Sequence, residues 1–209
     1  NDCIKEGLPK EKITILGNPR LEEIAIKTNN VKYKKNNISN ANRKFYKISK
    51  QKRILFISEN LKNLQKNSND FLGYNEFEVL NSIINNLDKT NKIFIKLHPS
   101  DDAQKYINYL NHNNVFIDKS IDLLEIVDKY DIFLGMASML LLELSVFEKP
   151  IFSFRPNYTK KFIGDHFINI HNINKINKNK LYYSKHRFKK SIKLQNFIGS
   201  KNKILKFIK

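Results

Sequence analysis

IFIKLHPSDD, residues 93–102, decides the fold. A short apolar run with β-compatible residues passes directly into His98-Pro99 and then into Ser100 and two aspartates. Pro99 cannot continue a hydrogen-bonded ladder, and it holds the residue before it extended. The strand therefore ends at an imidazole, and Ser100 or Asp101 is placed to cap a following helix. Working outward, the pattern repeats. RILFIS (53–58), NVFI (114–117), DIFLG (131–135) and PIFSF (150–154) are further short apolar runs, and FINI (167–170) is a candidate sixth. Between them lie stretches with helical spacing. One is GYNEFEVLNSIINNL, with Phe77, Leu80, Ile83, Ile84 and Leu87 on one face. Another is AQKYINYLNH, with Tyr106, Ile107 and Leu110 on one side. IDLLEIVDKY and ASMLLLELSVF complete the set. Strands apolar on both faces, separated by helical segments, predict a parallel sheet with crossover helices. The expected fold is α/β, a Rossmann-like doubly wound domain over residues 53–170.

The flanks read differently. Residues 1–27 are expected to be the end of a preceding domain or a hinge, with a short strand at Ile13–Leu16, a turn at Gly17-Asn18-Pro19-Arg20 and a helix over 21–27. Residues 28–52 are Lys- and Asn-rich and read as a linker. Residues 171–209 form a basic tail whose end, NKILKFIK, can make an amphipathic helix. The start lacks Met and reads as mid-protein sequence, so the chain is expected to be the carboxyl-terminal part of something longer.

The 209 residues carry a formal charge of +18, and the charge is segregated. No acid lies between Glu23 and Glu59, and none follows Asp165. Two readings stay open: attraction to anionic partners such as nucleotides, acidic polymers or an inner membrane leaflet, and a compositional bias toward Lys, Asn and Ile. The single cysteine, Cys3, excludes an internal disulfide framework and a Cys-based zinc site. His112, His166, His171 and His186 lack metal-ligand spacing, so no metal is expected. No apolar run is long enough to span a bilayer. A cytoplasmic setting is expected, with the basic tail a candidate for peripheral contact at the inner membrane face.

In open α/β sheets ligands bind outside the carboxyl ends of the strands. The residues there are the candidates. His98 can donate to a phosphate oxygen; the alternative is a structural histidine in a capping turn. Gly135-Met136-Ala137-Ser138 ends one strand and opens a helix. Its small residues admit a ligand to the backbone, or serve only tight packing and an N-cap. Glu143 sits in the apolar helix MLLLELSVF, where an acid needs a donor such as a ribose hydroxyl, or else reaches solvent or a lysine at the helix edge. Ser58, Glu59 and Asn60 follow the first strand and line a cleft or form a polar loop. Arg155 follows the fifth strand, as an anion partner or a surface arginine.

Taken in order, several pieces resemble the carboxyl-terminal, donor-binding half of GT-B-fold glycosyltransferases of bacterial surface-polysaccharide synthesis. GLPKEKITILGNPR is similar to the segment leading out of the amino-terminal domain. FISENL with GYNEFEVL is similar to the first strand, loop and helix of the second domain. KLHPSD resembles the His-Pro motif of sialyltransferase and polysialyltransferase-like proteins, and GMASMLLLELSVFEKPIFSFRPN resembles a donor-phosphate segment. The likeness covers residues 5–157. It implies a CMP- or UDP-linked sugar as donor substrate, a surface glycan or lipid-linked acceptor, and no cofactor or metal. It implies that His98 is the catalytic contact to the leaving nucleotide and that Ser138 holds the phosphates. Glu143 would meet the ribose or sugar, and Gly135 would permit close approach. Pro99, Ser100, Ala137, Met139, Ser58, Glu59 and Arg155 complete the implied donor site. The catalytic base would lie on the missing half, so the chain alone would be inactive. Met139 beside Ser138 departs from the richer serine pattern of the sialyltransferases. RPNYTKKF does not reproduce the pattern of acidic and arginine residues after the last strand of the related 2-epimerases, and the Asp-Tyr-Ser-Ser segment of the wall teichoic acid transferases is absent. A nucleotide-sugar 2-epimerase remains the alternative enzyme; product analysis with UDP-GlcNAc and no acceptor separates the two. A basic module for nucleic acid or a membrane surface is the non-enzyme alternative, separated by steep salt dependence and indifference to His98.

Overall fold

The computed structural model describes residues 4, 7–30, 51–65, 72–147, 149–155, 168–170 and 197–208. The chain divides into two compact units, one of residues 39–192 and one joining residues 1–38 to 193–209.

The larger unit is built on β1 (Arg53–Ile57), β2 (Lys92–Lys96), β3 (Val115–Asp118), β4 (Ile132–Gly135), β5 (Ile151–Phe154) and β6 (Ile168–Ile170). All neighbours pair in parallel, and the six strands lie in the order β3-β2-β1-β4-β5-β6. This is the doubly wound, Rossmann-like order, with its topological switch point between β1 and β4. The expected sixth strand is present, at the edge.

Side chains alternate across the pleat, so each strand serves two cores. Ile54, Phe56, Ile93, Ile95, Ile132 and Leu134 pack with Val79, Leu80 and Ile83 of α3 (Glu76–Asn86) and with Tyr106. On the opposite register stand Leu55, Phe94 and Phe133. Phe94 meets the Tyr130 ring at 5.1 Å, just past α4 (Leu123–Lys129). Asn75 caps α3 through the N–H groups of Phe77 and Glu78, and Asp122 caps α4 through those of Leu124 and Glu125. A further short helix, α2 (Leu61–Gln65), follows β1. At the amino edge of the sheet, Asn91 accepts from Lys52 N at 2.9 Å, and Asp131 accepts from Arg53 N at 2.8 Å.

Two expectations are corrected here. The segment after His98 is a 3-10 helix, Ala103–Asn111, capped by Asp102 rather than by Ser100 or Asp101. With three residues per turn it presents Tyr106 and Tyr109 inward. Ile107 and Leu110, expected beside Tyr106, are exposed. Ser138 is the N-cap of α5 (Met139–Leu144), not a residue of its first turn.

In the smaller unit, residues 13–18 form no strand; a short 3-10 helix (Lys10–Lys12) precedes them and α1 (Pro19–Asn30) follows. Residues 31–50 of the expected linker, and 171–196 of the expected tail, lie outside the described residues. The end of that tail is helical as expected: α6 (Ser200–Ile208). It does not stand apart. Glu22 of α1 accepts from Gly199 N at 2.6 Å and Lys201 N at 2.8 Å, capping the first turn of α6. Those backbone N–H groups, Lys201 first, hold the Glu22 carboxyl below its ordinary value. Ser200 Oγ accepts from Asn18 N at 3.2 Å.

Gly17 makes this contact possible. Its φ is +98°, and a Cβ there would run into the Ser200 hydroxyl, with Ser200 Cβ at 2.9 Å. Gly17→Ala combines that clash with roughly 1–2 kcal/mol of left-handed backbone strain. The variant is expected to release α6 from α1 while leaving the sheet unit folded. Limited tryptic digestion checks it: cleavage after Lys201, Lys203 and Lys206 should accelerate relative to cleavage within the sheet unit.

Candidate functional site

The expected site residues gather at the carboxyl edge of β1, β2 and β4. Ser58, buried past β1, shares a short hydrogen bond with the Tyr106 hydroxyl. Burial pushes that phenol above its ordinary value, against the Ser58 hydrogen bond. It stays protonated at physiological pH. Glu59, next in the chain, crosses the switch point: its Oε1 accepts from Ala137 N, just past β4, at 2.6 Å. Burial pushes the Glu59 carboxyl up. The N–H groups of Ala137, Met136 and Ser138 oppose the rise, and the nearby Glu76 charge adds to it. The turn after β4 therefore already faces a carboxylate from its own chain.

His98 is half-buried at the end of β2, in a turn closed by Asp101 N donating to His98 O at 2.9 Å. Its Nδ1 accepts from Ser100 N at 3.3 Å and lies 2.8 Å from Ser100 Oγ. Asn60 Nδ2 donates to that same Oγ at 3.2 Å, tying the β1 loop to the β2 loop. Nδ1 accepts from a backbone N–H, so the proton of the neutral ring sits on Nε2, available as a donor.

Beneath these loops is a group that the sequence reading missed. Lys105 Nζ lies 2.7 Å from Asp101 Oδ2 and 2.8 Å from Glu76 Oε1, and it reaches Glu59 O at 3.4 Å. The side chains are 13% exposed for Lys105, 0% for Glu76 and 2% for Asp101. Glu76 Oε2 also accepts from Lys62 N at 2.9 Å. One ammonium thus holds the His98 turn, the start of α3 and the β1 loop. The Asp101/Lys105 spacing of four was the available signal, though nothing local marks Glu76 as their third member.

A second buried cluster closes the edge at β3. Asp118 Oδ1 accepts from Tyr130 OH at 2.5 Å, Ser120 Oγ at 2.8 Å and Lys129 Nζ at 2.9 Å. Lys96 Nζ lies 3.8 Å from Oδ2 and donates to Ser120 O. Burial alone would raise the Asp118 carboxyl, but the hydrogen bonds from Tyr130, Lys129 and Ser120 together outweigh it and hold it below its ordinary value.

The remaining candidates fall on separate elements. A Cβ on Gly135 would meet Leu141 Cδ1 at 2.9 Å and Ile57 O at 3.3 Å, so the small residue is needed for packing of α5 against β1 and β4. Ser138 Oγ accepts from Leu140 N at 3.2 Å as the helix cap, and Met139 is exposed beside it. Glu143 is half-buried on α5. Arg155 is not a surface arginine: it is buried immediately past β5. Pro99 and Ser100 are exposed at the rim. Among the described residues, no group of three or more His, Cys, Asp or Glu side chains is arranged to hold a metal ion.

Sheet order and parallel pairing define a Rossmann-like α/β domain. No protein-family model matches the chain, and no curated protein does. Among solved structures it is similar to UDP-GlcNAc 2-epimerase from Neisseria meningitidis bound to UDP-GlcNAc, at 18% identity over 99% of this chain and 58% of that one, with a TM-score of 0.49. It is similar to the wall teichoic acid polymerase TagF at 14% identity, over 97% of this chain and 53% of that one, TM-score 0.44. The glycosyltransferase SnogD from Streptomyces nogalater matches at 8% identity, over 78% of this chain and 45% of that one, TM-score 0.47. The chain thus spans about half the length of the solved structures it matches.

Proposed function

We propose that the chain is the nucleotide-sugar-binding half of a GT-B glycosyltransferase that acts in surface-glycan synthesis, with the donor held at the carboxyl edge around the β1/β4 switch point. The observation that carries this reading is the Glu59–Ala137 hydrogen bond across that switch point, with His98 held beside it by Ser100 and Asn60. In open α/β sheets the crevice there is where nucleotides bind. An imidazole with its proton on Nε2 suits a phosphate oxygen, and it can stabilise charge developing on a leaving nucleotide without a metal. Acceptor activation falls to a group outside this chain. The His-Pro pair favours CMP over UDP as the carrier nucleotide.

Thermal melting with CMP, UDP and their sugar conjugates tests the reading. At least one nucleotide is expected to raise the Tm, CMP most, and His98→Ala is expected to remove the rise while leaving the ligand-free Tm nearly unchanged, because His98 is half-buried in a loop. A Tm indifferent to every nucleotide would sink the proposal.

A further inference from the structure

We propose that the Glu59 carboxylate is a resident anion on the turn after β4, and that a ligand's phosphate reaches this turn only by displacing it. The proposal rests on the reading of this edge as a nucleotide site and adds an inhibitory contact made by the chain itself. Glu59 Oε1 accepts from Ala137 N at 2.6 Å, and the N–H groups of Met136 and Ser138 face the same carboxylate. Three successive N–H groups turned on one carboxylate form an anion-holding concavity in the backbone. These donors precede α5 and are separate from its first turn, where Leu140 N donates to Ser138 Oγ at 3.2 Å and Leu141 N to Ser138 O at 3.1 Å.

A phosphate and the carboxylate cannot share these groups, since each residue offers a single backbone N–H and adjacent like charges repel. Two features make Glu59 the partner that yields. Its charge is poorly held: burial outweighs the opposing N–H groups, and Glu76 adds to the penalty. At Asp118 the balance is reversed, with hydrogen bonds outweighing burial, as suits a carboxylate with a purely structural place. Glu59 is also hinged at its side chain. Its backbone O is held separately, by Ser58 Oγ at 3.4 Å and Lys105 Nζ at 3.4 Å, and Asn60 ties the loop to Ser100 at 3.2 Å. The loop can therefore stay fixed while the half-buried side chain turns out to water. A phosphate brings more charge and more acceptor oxygens to the vacated N–H groups than one carboxylate does.

The full chain and its Glu59→Ala variant are titrated calorimetrically with CMP, UDP and sulfate at neutral pH and constant ionic strength; sulfate stands in for a phosphate group without base or sugar. The variant is expected to bind sulfate and at least one nucleotide about tenfold more tightly, because no charge-assisted hydrogen bond has to be broken first. Glu59→Gln guards against collapse of the turn: it keeps an acceptor for Ala137 N, but a neutral one, and should gain several-fold. Acetate returns a carboxylate to the turn, so it should weaken sulfate binding by Glu59→Ala. A residue that merely shapes the turn gives the opposite sign, since its loss loosens ligand binding. Anion binding unchanged or weaker in both variants would overturn the proposal. If CMP or UDP binds the parent and both variants alike, this inference falls and the nucleotide reading stands. Tighter sulfate binding by variants that ignore every nucleotide would retain the displacement and sink the nucleotide reading.

Discussion

Lys105→Met is expected to lower the stability of the sheet unit by about 3–5 kcal/mol and to weaken nucleotide binding at the same edge. The magnitude follows from what is left behind. Glu76 and Asp101 are almost fully buried, and removing the single cation between them strands two carboxylates without hydration, the circumstance in which breaking a buried ion pair costs most. Glu76 keeps its bond from Lys62 N, which places the cost below that of two wholly orphaned charges. The binding effect arises because Asp101 closes the turn that carries His98. Urea unfolding should show the reduced midpoint. In the double variant Lys105→Met/Glu76→Gln much of the loss should return, because one stranded charge is neutralised. If Lys105→Met unfolds at the parent's midpoint, the hub does not hold these loops.

Asp118→Ala is the second large effect, about 3 kcal/mol, since it leaves Lys129, Lys96 and the Tyr130 hydroxyl facing a void. Tyr130→Phe removes one hydrogen bond and should cost nearer 1 kcal/mol. Acid titration gives an independent check. The folded structure holds the Asp118 carboxyl below its ordinary value, so the folded state binds this proton less readily than the unfolded chain. The stabilisation is therefore complete above the ordinary carboxylate range near pH 4 and is lost as pH falls through the lower folded value. Stability measured from pH 7 down to about pH 2 should accordingly fall less steeply in Asp118→Ala than in the parent. Glu59 has the opposite sign. Its folded carboxyl is raised, so its contribution is present below the ordinary carboxylate value and declines as pH rises through the folded one.

The contrast between these residues explains what was readable in advance. His98, Ser100, Ser58, Glu59 and Ala137 were legible as a group because each follows an apolar run, and parallel strands send all their carboxyl ends to one edge. Ser138 was open to two readings, a phosphate ligand in the first helical turn or a plain N-cap, and the structure places it as the cap. Lys105 was not, because its partners come from the turn after β2 and the first turn of α3, and a lysine among many lysines carries no local mark. The 3-10 geometry of Ala103–Asn111 was also hidden: Tyr106 and Tyr109 are three apart, a spacing that an α-helical reading accommodates equally well.

By itself the sequence determined the strands of the sheet unit, its parallel α/β class and the edge at which the polar residues collect, since period and chain direction are local properties of the backbone; it did not show that Ile13–Leu16 forms no strand. Only the tertiary structure decided which polar groups meet. It turned Glu59 onto the turn after β4, buried Arg155, gave Gly135 to the packing of Leu141, and brought α6 back to Glu22 from the far end of the chain. Those contacts join residues distant in sequence, and desolvation and hydrogen-bond geometry select them after the chain has folded.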